Sequence, residues 1–390
     1  MSELQGMTAI VVGGGIGGLA AARALALRGA HVSVLEQAPE ISEVGAGLQI
    51  SPNGFAVLRA LGLGEALERH GAVPAGAVQL KDYRGAAVAR LDLSLLENRN
   101  YYFIHRADLI GLLEEGARAA GVSIRLGKRV IEIADGARPV VTLEGGETRD
   151  ADLLVGADGV KSKLRPVLNG EETPFFTGQV AWRSVIPNSM GRGSEAWVHM
   201  GPGRHLVSYP LRSGTLLNLV AVEERRGWTE EGWNRRDDVA NLRDAFADFG
   251  ADVQTMLGAV EETYLWGLFR HAVAEHWHGQ AVALLGDAAH PTLPFLAQGA
   301  NMALEDAWVL AHALARADTV PAGLAAYQER RRPRAERVIN TATDNAWKYH
   351  LKFPPLRFAA HSVLRLGSRI APGRMMRQFD WLYGHDVTKG

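Results

Sequence analysis

The chain contains no cysteine. That excludes disulfides, thiolate catalysis and Cys-held zinc or iron–sulfur centres, and it fits a reducing compartment. Neither sign of charge is in excess. With 42 basic and 43 acidic residues the formal net charge is −1, so the bulk charge carries no footprint of nucleic acid or of a membrane surface. No apolar run is long enough to span a bilayer. The first apolar run, Thr8 to Val12, is not the core of a leader with a basic start and a cleavage site. These absences predict a cytoplasmic protein; a monomer or a homodimer is expected, and the sequence does not choose between them. Internal repeats and low-complexity tracts are also missing. His199, His271, His276 and His278 lack metal-ligand spacing, so no metal is expected.

What is present is a pair of glycine motifs far apart in the chain. Thr8 to Val12 is a short β-branched and apolar run, the pattern of a buried strand. Gly13, Gly15 and Gly18 follow with G-x-G-x-x-G spacing. Leu19 to Arg28 is rich in Ala and Leu and stops at Gly29, which predicts a helix. Gly13 permits a tight turn, Gly15 lets backbone approach a pyrophosphate, and Gly18 lets helix pack on strand. The free N–H groups of the helix start attract phosphate. His31 to Leu35 is the next strand, and Glu36 stands where an acidic side chain meets ribose hydroxyls. A glycine-rich structural turn is the alternative for the glycines alone. The strand–turn–helix–strand–Glu order selects dinucleotide binding.

The second motif is Gly286-Asp287-Ala288-Ala289-His290-Pro291, preceded by the apolar run Val282 to Leu285. A buried strand ending in Gly-Asp puts one carboxylate at the carboxyl edge of a sheet, where ligands bind in open α/β folds. Asp287 could hold ribityl hydroxyls, and Pro291 to Leu296 could lie along a flat ring. Gln298, Gly299, Ala300 and Asn301 open a helix whose N–H groups could face the pyrimidine end of a reduced flavin. The alternative for Gly286-Asp287 alone is a capped turn. If both motifs serve one site, they reach both ends of one molecule, which suits FAD better than a nicotinamide carrier that comes and goes.

Between the motifs the pattern predicts interleaved lobes. Ala77 to Leu80 and Ala87 to Leu91 are expected strands, and His105 opens a helix to about Ala120. Short strands are expected at Val122 to Leu126, Val130 to Ile133 and Val140 to Leu143, then a buried one at Leu153 to Val155 before Gly156-Ala157-Asp158-Gly159. Residues 176–277 alternate, with hairpin breaks at Gly201-Pro202-Gly203 and Ser213-Gly214, as in an antiparallel sheet. A helix is expected from Asn234 to Phe249, and everything after Gly299 is expected to be helical, with Arg330 to Arg337 as a solvated face. The fold class is therefore α/β, or α+β overall. A Rossmann-like FAD-binding domain (1–75, 100–175, 278–325) is interleaved with a mainly antiparallel substrate-binding domain (76–99, 176–277). A C-terminal helical segment (326–390) follows.

Three signatures in order carry a family resemblance: Gly13-x-Gly15-x-x-Gly18, Gly156-Ala157-Asp158-Gly159-Val160-Lys161-Ser162, and Gly286-Asp287-Ala288-Ala289-His290-Pro291. The chain resembles the single-component FAD-dependent aromatic hydroxylases of the para-hydroxybenzoate hydroxylase class over nearly its whole length. Val44 to Asn53, Ala181-Trp182-Arg183, Ala297 to Asn301 and Trp381 to Gly384 resemble the salicylate hydroxylase and 3-hydroxybenzoate 6-hydroxylase branch. The resemblance implies that Glu36 binds ribose, Asp287 the ribityl chain and Arg106 the flavin side chain or phosphates. It links Asp158 to FAD and pyridine nucleotide, although a tight turn would account for Asp158 as well. Gln49 is expected near the flavin ring. The implied activity is hydroxylation through a flavin C4a-hydroperoxide with O2, NADH or NADPH serving as a transient reductant, since no second nucleotide motif is present.

The substrate residues have their own argument. In Arg204 to Pro210 a period of two puts His205, Val207 and Tyr209 on one face and Leu206 and Ser208 on the other. Electrophilic oxygen transfer is helped by removing the phenol proton, and histidine suits that task near neutral pH. A satisfied sheet histidine beside a core tyrosine is the alternative. The resemblance to 3-hydroxybenzoate 6-hydroxylase turns His205, Tyr209 and the loop Gln298 toward substrate. Arg183 could meet a substrate carboxylate or form a sheet-edge salt bridge, and His290 is expected to be structural. The expected substrate is a small phenolic acid. An N-heteroaromatic such as a hydroxypyridine or purine, a larger natural product, or a non-catalytic FAD-binding protein remain as alternatives.

Overall fold

The computed structural model describes residues 3–41, 46–96, 100–227, 235–346 and 349–389. Val44, Gly45 and Asn234 of the sequence-based expectations lie outside them. The short apolar runs form one five-stranded parallel sheet. Its order is Val282–Leu284, Leu153–Gly156, Thr8–Val12, His31–Leu35 and Ser123–Arg125. The strands Val282–Leu284, Leu153–Gly156 and Thr8–Val12 are almost wholly buried, as parallel strands covered on both faces are, while the edge strand Ser123–Arg125 is largely exposed. The register sets Val12 beside both Gly156 and Leu35, and Gly156 beside Leu284. Because all run the same way, the residues following each strand emerge at one edge. That is why Gly13, Glu36, Asp158 and Asp287 meet although the sequence scatters them.

Helix Ile16–Ala26 buries Leu19, Ala20, Ala21, Ala22, Ala24 and Leu25 and packs on helix Gly299–Ala315. Its alanines let the two axes come close. Helix Arg106–Ala119 is capped by His105, whose Nδ1 accepts from the Ala107 N–H. Strands Gly47–Ile50, Tyr102–His105 and Val73–Pro74 form a small sheet beside it.

The second large sheet has eight strands. In order they are Arg236–Asp237, Thr263–Arg270, Phe175–Pro187, Leu216–Glu224, Arg204–Leu211, Glu195–Gly201, Ala77–Asp82 and Ala87–Asp92. Every pairing is antiparallel except Glu195–Gly201 with Ala77–Asp82. Alternation gives it two different faces. Trp182, Leu206, Leu219 and Leu265 pack under Phe246, Val253 and Met256 in one apolar core. Arg183, His205, Val207, Tyr209, Val220, Val222 and Trp266 turn the other way, into a cavity.

Three expectations are corrected. The helix expected to reach Phe249 covers only Val239–Ala245, and a second helix follows at Ala251–Gly258. Arg236 and Asp237 pair with Tyr264 and Thr263 instead, and Asp238 caps the short helix by accepting from the Ala240 N–H at 2.9 Å. The C-terminal part is helical at Gly299–Ala315, Val320–Ala346 and Pro354–Ile370. It breaks between the last two, where Tyr349 to Phe353 form a connection. The run Arg330 to Arg337 is not a uniformly solvated face. Arg331 is 1% exposed because two buried carboxylates draw it inward.

Candidate active site

The glycine turn is built by close approach. Gly13 has φ +106, in the left-handed region, and a Cβ there would lie 2.4 Å from the Ala157 carbonyl oxygen. A Cβ on Gly18 would lie 2.0 Å from the Gly13 carbonyl oxygen, so the helix start interlocks with the turn. Gly15 has open space where a Cβ would be and borders the cavity. Glu36 accepts from the Gly14 N–H at 2.6 Å and the Ala38 N–H at 2.8 Å, which fixes its carboxylate across from the turn.

From here a continuous cavity of about 740 Å³ runs past Gln49, Arg106, Asp158 and Asp287 to His205 and Tyr209. That volume is in the upper part of the range for ligand sites. Burial raises the Asp287 carboxyl, opposed by His290 and Arg106. Burial lowers the Arg106 guanidinium, opposed by Asp287. Burial also raises Asp158, against Ser162 and the Lys163 N–H, and Asp158 Oδ1 is buried without a protein partner. A glycine cradle at a helix start, a fixed carboxylate beside it and a second carboxylate at the same sheet edge fit a flavin dinucleotide.

The Gly286-Asp287 turn is anchored from below. The Gly286 N–H donates to Asp306 Oδ2 at 3.1 Å, and His290 Nε2 lies 2.5 Å from the same oxygen. Arg331 Nε reaches Asp306 Oδ1 at 2.7 Å, and its Nη1 reaches Glu305 Oε2 at 2.5 Å. Arg334 Nε adds a contact to Glu305 at 2.7 Å, and Asn53 Nδ2 donates to Glu305 Oε1 at 2.7 Å. Burial pushes both carboxyls up. Arg331 and Arg334 override it for Glu305, and His290 and Arg331 for Asp306, bringing each down to about 2. His290 therefore has a structural position, in the wall rather than the cavity.

Gln298 and Asn301 are placed differently from the sequence-based expectation. Gln298 borders the cavity, but its amide faces inward. Its Oε1 accepts from Asn53 at 3.1 Å and its Nε2 donates to Ser51 Oγ at 3.0 Å. Asn301 Oδ1 accepts from the Ser51 N–H at 3.0 Å, and its Nδ2 donates to the Gln49 carbonyl at 2.9 Å. Asn301 ties the loop to the strand Gly47–Ile50, and Gln298 ties it to the start of the helix Pro52–Ala60 that follows. Gly299 and Ala300 present the helix start to the cavity, after Ala297 turns the chain with φ +53. Gln49 Oε1 accepts from the Tyr101 hydroxyl at 2.6 Å.

At the far end His205, Val207 and Tyr209 share the cavity face, as the period of two requires. The Tyr209 ring stacks on Phe103 at 5.1 Å, and burial pushes its hydroxyl up, opposed by Arg183. Arg183 lies over the Trp266 ring at 4.3 Å. Its strand is interior to the sheet, not an edge. Burial, then Arg106, lowers its guanidinium to about 10. Burial, then His350, holds His205 well below the usual imidazole range.

Sequence reasoning missed His350 and Glu224. His205 Nδ1 lies 2.6 Å from His350 Nε2, and His350 Nδ1 lies 3.0 Å from Glu224 Oε1. Lys352 pairs with the other Glu224 oxygen. Tyr349, Met376, Phe379 and Tyr383 close this end. No sequence signal set His350 apart, because its stretch was expected to be helical like the rest of the C-terminal part.

A Rossmann-like sheet edge joined by one cavity to an antiparallel wall of aromatic, His and Arg side chains defines a flavoprotein hydroxylase. The comparisons agree. The profile described as an FAD binding domain matches residues 6–342, and the chain belongs to that family as an FAD-dependent aromatic-ring monooxygenase related to the hydroxybenzoate hydroxylases. It is 35% identical to 3-amino-4-hydroxybenzoate 2-monooxygenase of Streptomyces platensis, over 97% of this chain and 96% of that one. Identity to 3-hydroxybenzoate 6-hydroxylase of Klebsiella oxytoca is 33%, with the same coverage. The structure of Klebsiella pneumoniae HpxO complexed with FAD and uric acid superposes with a TM-score of 0.85 at 29% identity, covering 96% of this chain and 97% of that one.

Proposed function

We propose that the enzyme hydroxylates a small phenolic acid, using NADH or NADPH as reductant and O2 as oxygen donor, with His205 taking the phenolic proton. The observation that carries this reading is His205 on the wall of the same cavity that holds Glu36, Asp158 and Asp287. FAD, when bound, supplies electron storage and oxygen activation.

The chain's own residues do the rest. Burial keeps the His205 imidazole neutral near pH 7, so it is a proton acceptor before substrate arrives. Tyr209 stays protonated, because burial raises its hydroxyl, and can donate a hydrogen bond to a phenolate. Arg183 and Arg106 supply positive charge beside the same space, which favours an anionic substrate and the phenolate formed from it. Leu293, Pro294, Phe295 and Leu296 border the site and exclude water from the reacting atoms. The dinucleotide end is filled by one cofactor, so the reductant docks transiently in the shared groove.

A second reading is a purine-like N-heteroaromatic substrate, favoured by the likeness to HpxO, whose structure was solved with uric acid. One experiment separates the two. NADH oxidation by the purified protein is measured with salicylate, 3- and 4-hydroxybenzoate, 3-amino-4-hydroxybenzoate, 6-hydroxynicotinate and urate, with product and peroxide quantified. A hydroxybenzoate that gives product matching the NADH consumed supports the proposal. Coupled turnover of urate alone would replace it with the purine reading.

A further inference from the structure

The nitrogen atoms of His205 are not equivalent, and the surroundings say which one carries the proton. Glu224 is partly exposed, with 32% of its side chain accessible. Burial pulls its carboxyl up, but Lys352 and His350 outweigh it and hold the group below its ordinary value. Ionised, Glu224 only accepts. His350 Nδ1, 3.0 Å away, must then donate. A neutral His350 that donates at Nδ1 has a bare Nε2. The contact of that Nε2 with His205 Nδ1 at 2.6 Å therefore needs its proton from His205 Nδ1. This leaves His205 Nε2 with a free lone pair.

We propose, on the reading of His205 as the phenol base, that Glu224 and His350 fix His205 in this tautomer and then conduct the abstracted proton to the surface. The phenolic O–H bond breaks as an N–H bond forms at His205 Nε2, and the negative charge stays on the phenolate oxygen. The Nδ1 proton of His205 passes to His350 Nε2. The Nδ1 proton of His350 passes to Glu224 Oε1 and on to water. One proton leaves the cavity and no electrons change hands.

Among the described residues, the other titratable groups facing this path are Tyr349, whose ring lies 5.3 Å from His205, and Lys352. Tyr349 remains protonated because burial raises it. Burial keeps His350 neutral, against the pull of Glu224. Neutral rings are what a relay needs, since each must take a proton at one nitrogen and release one at the other. His350 and Glu224 touch no substrate and are positioning and conducting residues.

The test uses the FAD holoenzyme with isotope-labelled histidine, without substrate. Nuclear magnetic resonance is expected to find His205 and His350 both protonated at Nδ1 and bare at Nε2. Glu224→Gln is expected to mix the tautomers of both rings. It should lower kcat on the phenolic substrate about tenfold or more with KM changed by less than about twofold. Glu224→Asp should restore most of kcat. His350→Asn is an independent second variant with the same expected split. A proton on His205 Nε2 in the wild type would overturn the relay. So would wild-type tautomers and kcat in a folded, FAD-loaded Glu224→Gln. The expected tautomers together with no phenol turned over would keep the tautomer assignment and overturn the conduction of a phenol proton along with the phenolic substrate.

Discussion

Replacing Arg331 with Met tests how the Gly286-Asp287 turn is held. The guanidinium is buried against Glu305 and Asp306, and Met fills much of its volume without its charge. Arg334 stays on Glu305, so Asp306 loses its guanidinium partner and keeps His290. The Asp306 carboxyl falls from an ordinary 3.8 to about 2 in the folded protein. That depression, shared between His290 and Arg331, stabilises the fold by a few kcal/mol. Leaving a buried carboxylate with too little positive charge adds to the loss, so a total of about 3–5 kcal/mol is expected at neutral pH.

The loss has a sign in pH. A depressed carboxyl gives stability that is present above its unfolded value and lost as pH falls through the folded one. In the wild type this contribution fades below about pH 4. In Arg331→Met burial acts with less opposition and lifts the Asp306 carboxyl, so the variant gains relative stability on acidification. The assay is urea unfolding followed by tryptophan fluorescence, at about pH 7.5 and about pH 4.5, with FAD release measured alongside. The stability gap should narrow at the lower pH, and FAD should be lost at lower urea because Asp306 holds the Gly286 N–H. A loss under about 1 kcal/mol, or a gap equal at both pH values, would refute the reasoning.

His205→Ala should keep FAD and still oxidise NADH with substrate present. Product should fall about 100-fold or more, with the missing equivalents appearing as peroxide; full coupling would remove His205 from the chemistry. Because burial holds His205 well below the usual imidazole range, the acid limb of kcat/KM should lie below the ordinary imidazole value. The imidazole stays a base until protonated, so activity is lost as pH falls through that limb, and a limb at the ordinary imidazole value or above contradicts the assignment. Gly18→Ala places a methyl 2.0 Å from the Gly13 carbonyl oxygen. The forced shift should cost more than about 1–3 kcal/mol and give colourless protein on purification, and a yellow, fully loaded variant would show that the turn tolerates displacement.

What could be read from the sequence was what is local or periodic. The parallel sheet announced itself as apolar runs ending in Gly13, Glu36, Gly156 and Gly286. The inner wall followed from alternation in Arg204 to Pro210, where each side chain goes to one of two faces. The rest depends on partners that periodicity does not link. Arg331 looks like any base on a solvated helix until Glu305 and Asp306, on another helix, are set opposite it. His350 is 145 positions from His205, and only folding makes them neighbours. The Gln298 side chain was expected to face substrate, and Asn301 to offer a backbone N–H at the helix start, because their loop borders the ligand space. Their amides found Ser51, Asn53 and Gln49 instead, some 250 positions earlier, since buried amides must be satisfied.

The family profile ends at residue 342, and the wall that closes the far end of the cavity begins at Tyr349. Residues 349–389 thus supply one part of the far wall, while Arg183, His205 and Tyr209 supply another from within the matched stretch. A lineage could vary residues 349–389 and reshape one side of the substrate end, as a lock is rekeyed without replacing the door, so long as the Trp381 and Leu382 carbonyls still receive Arg334, which also holds Glu305. Chimeras that carry a relative's last stretch on this body should stay yellow and change their preferred ring.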